Sequence, residues 1–353
     1  MSIIVLRGLL AQNEDHSLIA EISTFQQIGI ESKLSKFELE PDDLFESAIL
    51  GQSNLVLDQG PLTVAAMGLN PPERSLHFHL SMLSLLGDSI RSDIAVPTQG
   101  EYKVISEQLE RLNTKNLTVL LGEGLDHALV REQMLEIRTT KPSVVCANGL
   151  HASRPEGDGE NEIRRFIDDS VNLLAEQEFN LRRIDQGVAP INICWPWGQG
   201  QRQQIPNRGL ELGVPWRVRA YSLAVRGLAR LSGFRPEKLP ALNEIDFRSL
   251  SRTIQGESPT ITIIDFGSEP TVEQAREVNL GRLNEFGSQL IGPLLEWRRE
   301  SKSDLYFVAT NSANQGLAAF CLNENARDLF PFDERSLTER RVETINLRNL
   351  LEK

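Results

Sequence analysis

Histidine is scarce in this sequence: five in 353 residues, and none after His151. That scarcity excludes an imidazole-rich metal centre or a histidine base from the whole C-terminal portion. Cysteine is scarcer, with Cys146, Cys194 and Cys321 far apart and odd in number. No disulfide framework or thiolate zinc site follows, and Cys194 and Cys321 inside apolar runs read as buried free thiols in a reducing compartment. Positive charge is also in deficit, 37 Lys and Arg against 49 Asp and Glu for a net charge of −12. Nucleic acid and anionic membranes are therefore not expected partners, because neutralising phosphate needs clustered basic residues. No apolar run approaches a membrane span and no basic segment leads into one at the start, so a cytoplasmic protein is expected. No internal repeat or low-complexity tract is visible.

What remains is ordinary for a globular chain long enough for two domains, with 40% hydrophobic and 24% charged residues. Ser2-Ile3-Ile4-Val5-Leu6 and the run at 260–266 have the continuous apolar pattern of parallel strands buried on both faces. The most informative stretch is Pro190–Gly200, Pro-Ile-Asn-Ile-Cys-Trp-Pro-Trp-Gly-Gln-Gly. Residues 191–194 suit a third buried core strand, with Pro196 stopping it and glycines allowing a close turn. Residues 219–231 repeat apolar positions at helical spacing, and Gly233 ends that helix. Helices are also expected at 16–28, 101–112, 162–175 and 273–299, and strands at 75–83, 117–121 and 304–309.

The strand into Trp-Gly-Gln-Gly and its following helix resemble the archaeal-type, cofactor-independent phosphoglycerate mutases of the alkaline phosphatase superfamily. Taken alone, Trp-Gly-Gln-Gly is also a tight turn with a packing tryptophan. Further segments are similar in the same order: Ile49-Leu50-Gly51, Gly60-Pro61-Leu62, Gly292-Pro293-Leu294-Leu295 and Ser336-Leu337-Thr338-Glu339-Arg340-Arg341. The resemblance implies an α/β fold: an alkaline-phosphatase-like core with a mostly parallel sheet flanked by helices, plus a smaller inserted α+β domain. The core is expected at 1–58 and 187–353 and the insertion at 59–186.

The positions that the resemblance makes functional are the ones that differ. Its members use two divalent metals (Mn, Mg or Zn), held partly by an Asp that ends the first strand; here that position is Arg7. Their phosphoryl-accepting serine falls at Asp42, followed by Asp43; an acid at a helix start is equally explained by the helix dipole. Substrate-binding Arg, Arg and Asn are replaced by Gln59, His79 and Ser81, and Asp126-His127 stands for Arg-His; His127 alone keeps its identity, and a lone histidine is as readily structural. Aligned metal ligands fall at Glu269 and Glu273, which also suit a solvated first helical turn, and Thr310-Asn311-Ser312 stands for Asp-His.

Two function classes follow. One is a phosphoglycerate mutase-like pseudoenzyme with no catalytic residues and no cofactor, acting as a module for an unidentified protein or small molecule. The other is an active isomerase or phosphohydrolase with substituted ligands. The lost carboxylate at Arg7, the lost serine and the lost histidines favour the first. Arg7 is expected to pair with Asp42, Asp43 or Asp265 as a fixed internal cation, or else to reach solvent at the strand end.

Overall fold

The computed structural model describes residues 2–10, 33–37, 50, 57–70, 73–213, 215–257, 259–265, 282, 285–301, 305–311 and 316–320, with backbone only at 7–10, 33–37, 306–311 and 316–320. The chain begins with strands β1 (Ser2–Leu10) and β2 (Lys33–Phe37), then helix α1 (Gln59–Ala66), β3 (Leu76–Leu86) and β4 (Ser89–Arg91). Next come α2 (Gln99–Glu110), β5 (Leu117–Glu123), β6 (Asp126–Arg131), β7 (Ile137–Arg138), α3 (Pro142–Asn148) and β8 (Glu156–Gly157). Helices α4 (Glu160–Leu174) and α5 (Glu178–Asp185), β9 (Ile193–Gly200), α6 (Arg208–Glu211) and β10 (Arg217–Ala220) follow. The chain continues through α7 (Leu223–Leu231), β11 (Arg235–Lys238), α8 (Phe247–Gly256), β12 (Thr260–Asp265), α9 (Gly292–Ser301), β13 (Leu305–Asn311) and β14 (Gly316–Phe320). It divides into two compact units, Met1–Val56 with Ile205–Lys353, and Leu57–Gln204.

The first unit holds a seven-stranded sheet in the order β11-β10-β12-β1-β13-β14-β2. Its first five strands run parallel, β14 runs against them, and β2, antiparallel to β14, runs with the first five again. This is the mostly parallel α/β sheet expected from the runs at 2–6 and 260–266. Ile3, Ile4, Val5 and Leu6 are at most 1% exposed, as a strand covered on both faces requires. Ile4, Leu6 and Ile264 pack with Phe247, Leu250 and Ile254 of α8 and with Leu294 and Leu295 of α9. Ser222 caps α7 by accepting from the Val225 amide, and Gly233 follows the helix at φ +81°, so that helix starts later than 219. Arg219 instead belongs to β10.

In the second unit, β9, β3, β6 and β5 form an antiparallel sheet extended at one end by β4. Leu76, Phe78 and Leu80 of β3 pack with Ile105 and Leu109 of α2 and with Ile163, Phe166 and Ile167 of α4. The opposite face takes α1, where Val64 meets Ala128 and Val130. Glu162 binds Arg131 at 2.7 Å, while buried Arg183 bonds Glu101 at 3.1 Å and the carbonyls of Ala95 and Ala189 at 2.7 and 3.0 Å.

The structure overturns the placement of residues 191–194. The strand runs on through Pro196 to Gly200 and pairs with β3, so residues 187–204 lie in the second unit rather than in the core. Its apolar run has a different cause: Ser170 of α4 binds the Cys194 amide on one face, and Gly198 and Gly200 meet Gln59 and Asp58 at α1 on the other. A helix over each face of an antiparallel strand imitates the signature of a parallel one. Pro196 is tolerated because β9 pairs only with β3 among the described strands, so the missing N–H costs no ladder bond.

Asn180 joins the end of α4 to the entry of β9. Its side-chain amide donates to the carbonyls of Leu174 and Ile191 at 2.8 and 2.9 Å and accepts from the Ile191 amide at 2.7 Å, with no exposure. Asn180→Ala strands three buried backbone groups and is expected to cost about 3 kcal/mol or more. Urea denaturation should show a lower midpoint at unchanged slope; a loss under about 1 kcal/mol would contradict this account.

Candidate functional site

At the carboxyl ends of the core strands, Arg7 of β1 registers with Asp265 of β12, and β13 runs alongside to Thr310 and Asn311. Asp42, Asp43, Glu269 and Glu273 lie outside the described residues, as does the side chain of Arg7. Its pairing with Asp42, Asp43 or Asp265 therefore lies outside them as well. A pair of divalent cations needs several carboxylates or imidazoles. Among the described residues at these strand ends a single carboxylate stands with an arginine, a threonine and an asparagine, fewer such donors than a cation pair takes. No group of three or more His, Cys, Asp or Glu side chains placed to hold a metal ion occurs among the described residues.

The candidate binding residues of the second unit, Gln59, His79, Ser81, Asp126 and His127, are described in full, and all but His127 come together. Helix α1 can approach β3 because position 60 is glycine: a Cβ there would lie 2.2 Å from the His77 carbonyl oxygen. This approach places the Thr63 hydroxyl 2.7 Å from His79 Nδ1 and 2.8 Å from the Gln59 carbonyl oxygen one turn back. His79 Nε2 lies 3.1 Å from Asp126 Oδ1, a diagonal contact across the β3–β6 pairing, in which His79 registers with Ala128 and Asp126 with Ser81. His79 is 4% exposed, whereas the Asp126 side chain is 54% exposed.

The Trp-Gly-Gln-Gly turn completes this face. Trp197 sets its ring edge-on to His79 with centroids 5.1 Å apart and donates to Ser81 Oγ at 2.8 Å. Gly198, at φ +60°, sits where a Cβ would come 2.6 Å from the Gln59 Cβ. The turn is thus seated on the first residue of α1. Trp195 donates to the Thr140 carbonyl at 2.7 Å, and Thr139 bonds Gln199.

His127 stands apart, beside Tyr102 of α2 with ring centroids 6.2 Å away, its Nδ1 accepting from the Gly122 amide at 3.0 Å. Its Nε2 has no partner, and burial, partly opposed by the Asp126 charge, pushes its pKa down to about 4. His77, not singled out by the sequence reading, shares a 2.8 Å hydrogen bond with Ser75 and is likewise held near 4, by burial first and Arg202 second. Thr63 was missed too, since a single threonine within a helix carries no signature. Only its spacing of four from Gln59 hints that the hydroxyl turns back along the helix.

The order hydroxyl, imidazole, carboxylate is that of an acyl-transfer triad, but its exposure is inverted. Thr63 is fully buried and the carboxylate faces solvent. A nucleophile must reach its substrate, so this array is not a hydrolytic one.

No family model matches the chain. It is similar to the 2,3-bisphosphoglycerate-independent phosphoglycerate mutase of Methanothrix thermoacetophila, 24% identical over 184 residues, covering 52% of this chain and 46% of that protein. The enzyme of that name from Methanosarcina mazei is 22% identical over 272 residues, 73% of this chain and 68% of its own. The matched part spans about half the length of the first of these relatives. Among solved structures, the PH0037 protein of Pyrococcus horikoshii has a TM-score of 0.66 at 14% identity, covering 99% of this chain and 95% of that one. The cofactor-independent phosphoglycerate mutase of Thermoplasma acidophilum has a TM-score of 0.58 at 14% identity, covering 99% and 98%. The resemblance read from the motifs holds: the chain is similar in sequence to these mutases, at low identity, and shares the fold of the solved one.

His77 and His127 fix the sign of the acid response. The unfolded chain binds protons on both below about pH 6.5, whereas the folded chain resists until about pH 4. Stability is therefore full above that range and is lost as pH falls from 6.5 towards 4, for His127 on the order of 3 kcal/mol. Urea midpoints measured across this window should fall, and His127→Gln should flatten the fall; an unchanged slope in the variant would show that His127 does not titrate this way.

Proposed function

We propose that the chain retains the phosphoglycerate mutase scaffold but has lost metal-dependent phosphoryl transfer, and that it serves as a binding or regulatory module for a protein or small molecule. The single observation that carries this reading is the His79–Asp126 pair. The family resemblance places guanidinium groups for an anionic substrate at both positions. Here the outward nitrogen of His79 is engaged by a carboxylate, and that carboxylate is the exposed end of the array. A phosphorylated acid arriving at this face meets a like charge, where a bidentate arginine would have met it with two donors. Gln59, the third substituted position, supplies an amide in place of a cation.

The core positions agree in kind. Arg7 cannot coordinate a cation, and no histidine after His151 is available as a ligand. An aspartyl-phosphate at Asp42 is chemically conceivable, but the residues at the described strand ends offer no pair of cations to neutralise it. With a net charge of −12, nucleic acid is a poor partner. No helix among the described residues is long and apolar enough to cross a membrane.

The decisive assay incubates the purified full chain with 3-phosphoglycerate, with manganese, without it, and with a chelator. No 2-phosphoglycerate or free phosphate is expected in any arm. Turnover that the chelator abolishes would establish the chain as an active mutase or phosphatase with substituted ligands, and overturn this reading.

A further inference from the structure

The polar array on the second unit's sheet has a proton count that does not balance in its neutral form. Asp126 Oδ1 only accepts, so His79 Nε2, 3.1 Å away, carries a hydrogen. The Gln59 carbonyl also only accepts, and it lies 2.8 Å from Thr63 Oγ1. Thr63 has a single hydroxyl proton to offer to two acceptors, that carbonyl and, in a neutral ring, His79 Nδ1 at 2.7 Å. Whichever it chooses, the other contact sets two lone pairs against each other at hydrogen-bond distance. With a second proton on the ring every contact is satisfied: Nδ1 donates to Thr63, Thr63 donates to Gln59, and Nε2 donates to Asp126.

We propose that His79 is a proton-operated fastener: as the imidazolium it ties the first turn of α1 to β3 and β6, and on losing a proton it releases that turn together with the Trp-Gly-Gln-Gly segment seated on it. The groups around His79 agree with this assignment. From β6 comes Asp126, directly bonded; from α1, Thr63, with Asp58 at its head held towards the neutral acid by burial. From β9 come Trp197 and, just beyond the strand, Arg202, which acts on His77 two residues back along β3. His77 and His127 are held near 4 and stay neutral around pH 7, leaving His79 as the imidazole of the three with a carboxylate partner. Gly198 packs on Gln59, so a change at Thr63 and Gln59 is felt at the turn that carries Trp197. The sign follows from the proton count: the fastening is present at low pH, where the ring carries both protons, and is lost as pH rises and one of them leaves. It operates whether or not the chain turns over phosphoglycerate.

Trp197 supplies the readout, because an imidazolium touching an indole quenches its emission and a neutral imidazole does not. Tryptophan emission of the full chain, followed from pH 8.5 down to 5, should fall in one step that is absent from Trp197→Phe and from His79→Asn. Asp126→Asn, altered at the exposed end, should move the step to lower pH. The melting-temperature advantage of the wild type over His79→Asn should grow as pH falls through the step, the acid response of the other histidines being common to both. Thr63→Val should move the emission step to lower pH and shrink the linked change in stability to the part that Asp126 carries, since its methyl group makes no demand on the ring proton. Should His79→Asn not fold, Asp126→Asn and Thr63→Val carry the test. A step indifferent to Asp126→Asn, or a wild-type stability profile that Thr63→Val leaves unchanged, overturns the proposal.

Discussion

The second unit depends on one steric fact: nothing but a hydrogen can stand at position 60 between α1 and β3. A methyl group there would lie inside the His77 carbonyl, so the helix would have to retreat from the sheet. The polar array exists because it does not. Thr63 reaches His79 only at this separation, and the turn at Gly198 can rest on Gln59 only because α1 is already held down. Two glycines from distant parts of the chain thus set one geometry, each by lacking a side chain at a different wall of the same contact.

Polar satisfaction in this unit is uneven, and the unevenness has a pattern. Structural links such as Asn180 and Arg183 have their buried donors matched to carbonyls or carboxylates, as buried groups must be to avoid a desolvation cost. The histidines depart from this. His77 and His127 each leave one ring nitrogen without a partner, which fixes them as neutral rings. His79 has a partner at both nitrogens, and one of those partners is an acid. Three imidazoles in one small sheet therefore do unlike things, and the difference lies in what each nitrogen meets.

Much of the scaffold was legible in the residues. The doubly buried runs of β1 and β12, the amphipathic helix α4, and the glycine that ends α7 all follow from periodicity and backbone chemistry read locally. The partner of β9 was not legible, because an apolar run reports that both faces are covered and not by what. Pro196 misled for a related reason: it forbids a central strand but not an edge one, and position in a sheet is a tertiary property. At the candidate site, Gln59, His79 and Asp126 were found through family resemblance, as substituted positions. Their conversion into a connected array was hidden, since it rests on Thr63 and on a register between β3 and β6 that no local pattern encodes. The ends of the core strands were legible only as a change of donor type, with Arg7 where a ligand is expected.

Pro196 has a further effect at the rim of the sheet. An edge strand offers unpaired amides on which a foreign strand can grow, and this is how many sheets begin to aggregate. On β9 that row is interrupted: Pro196 has no amide hydrogen to give, and the neighbouring side chains of Trp195 and Gln199 are tied to Thr140 and Thr139. A strand arriving from another molecule would find a broken template, so a residue that looked like the end of a strand instead keeps its open side from being extended.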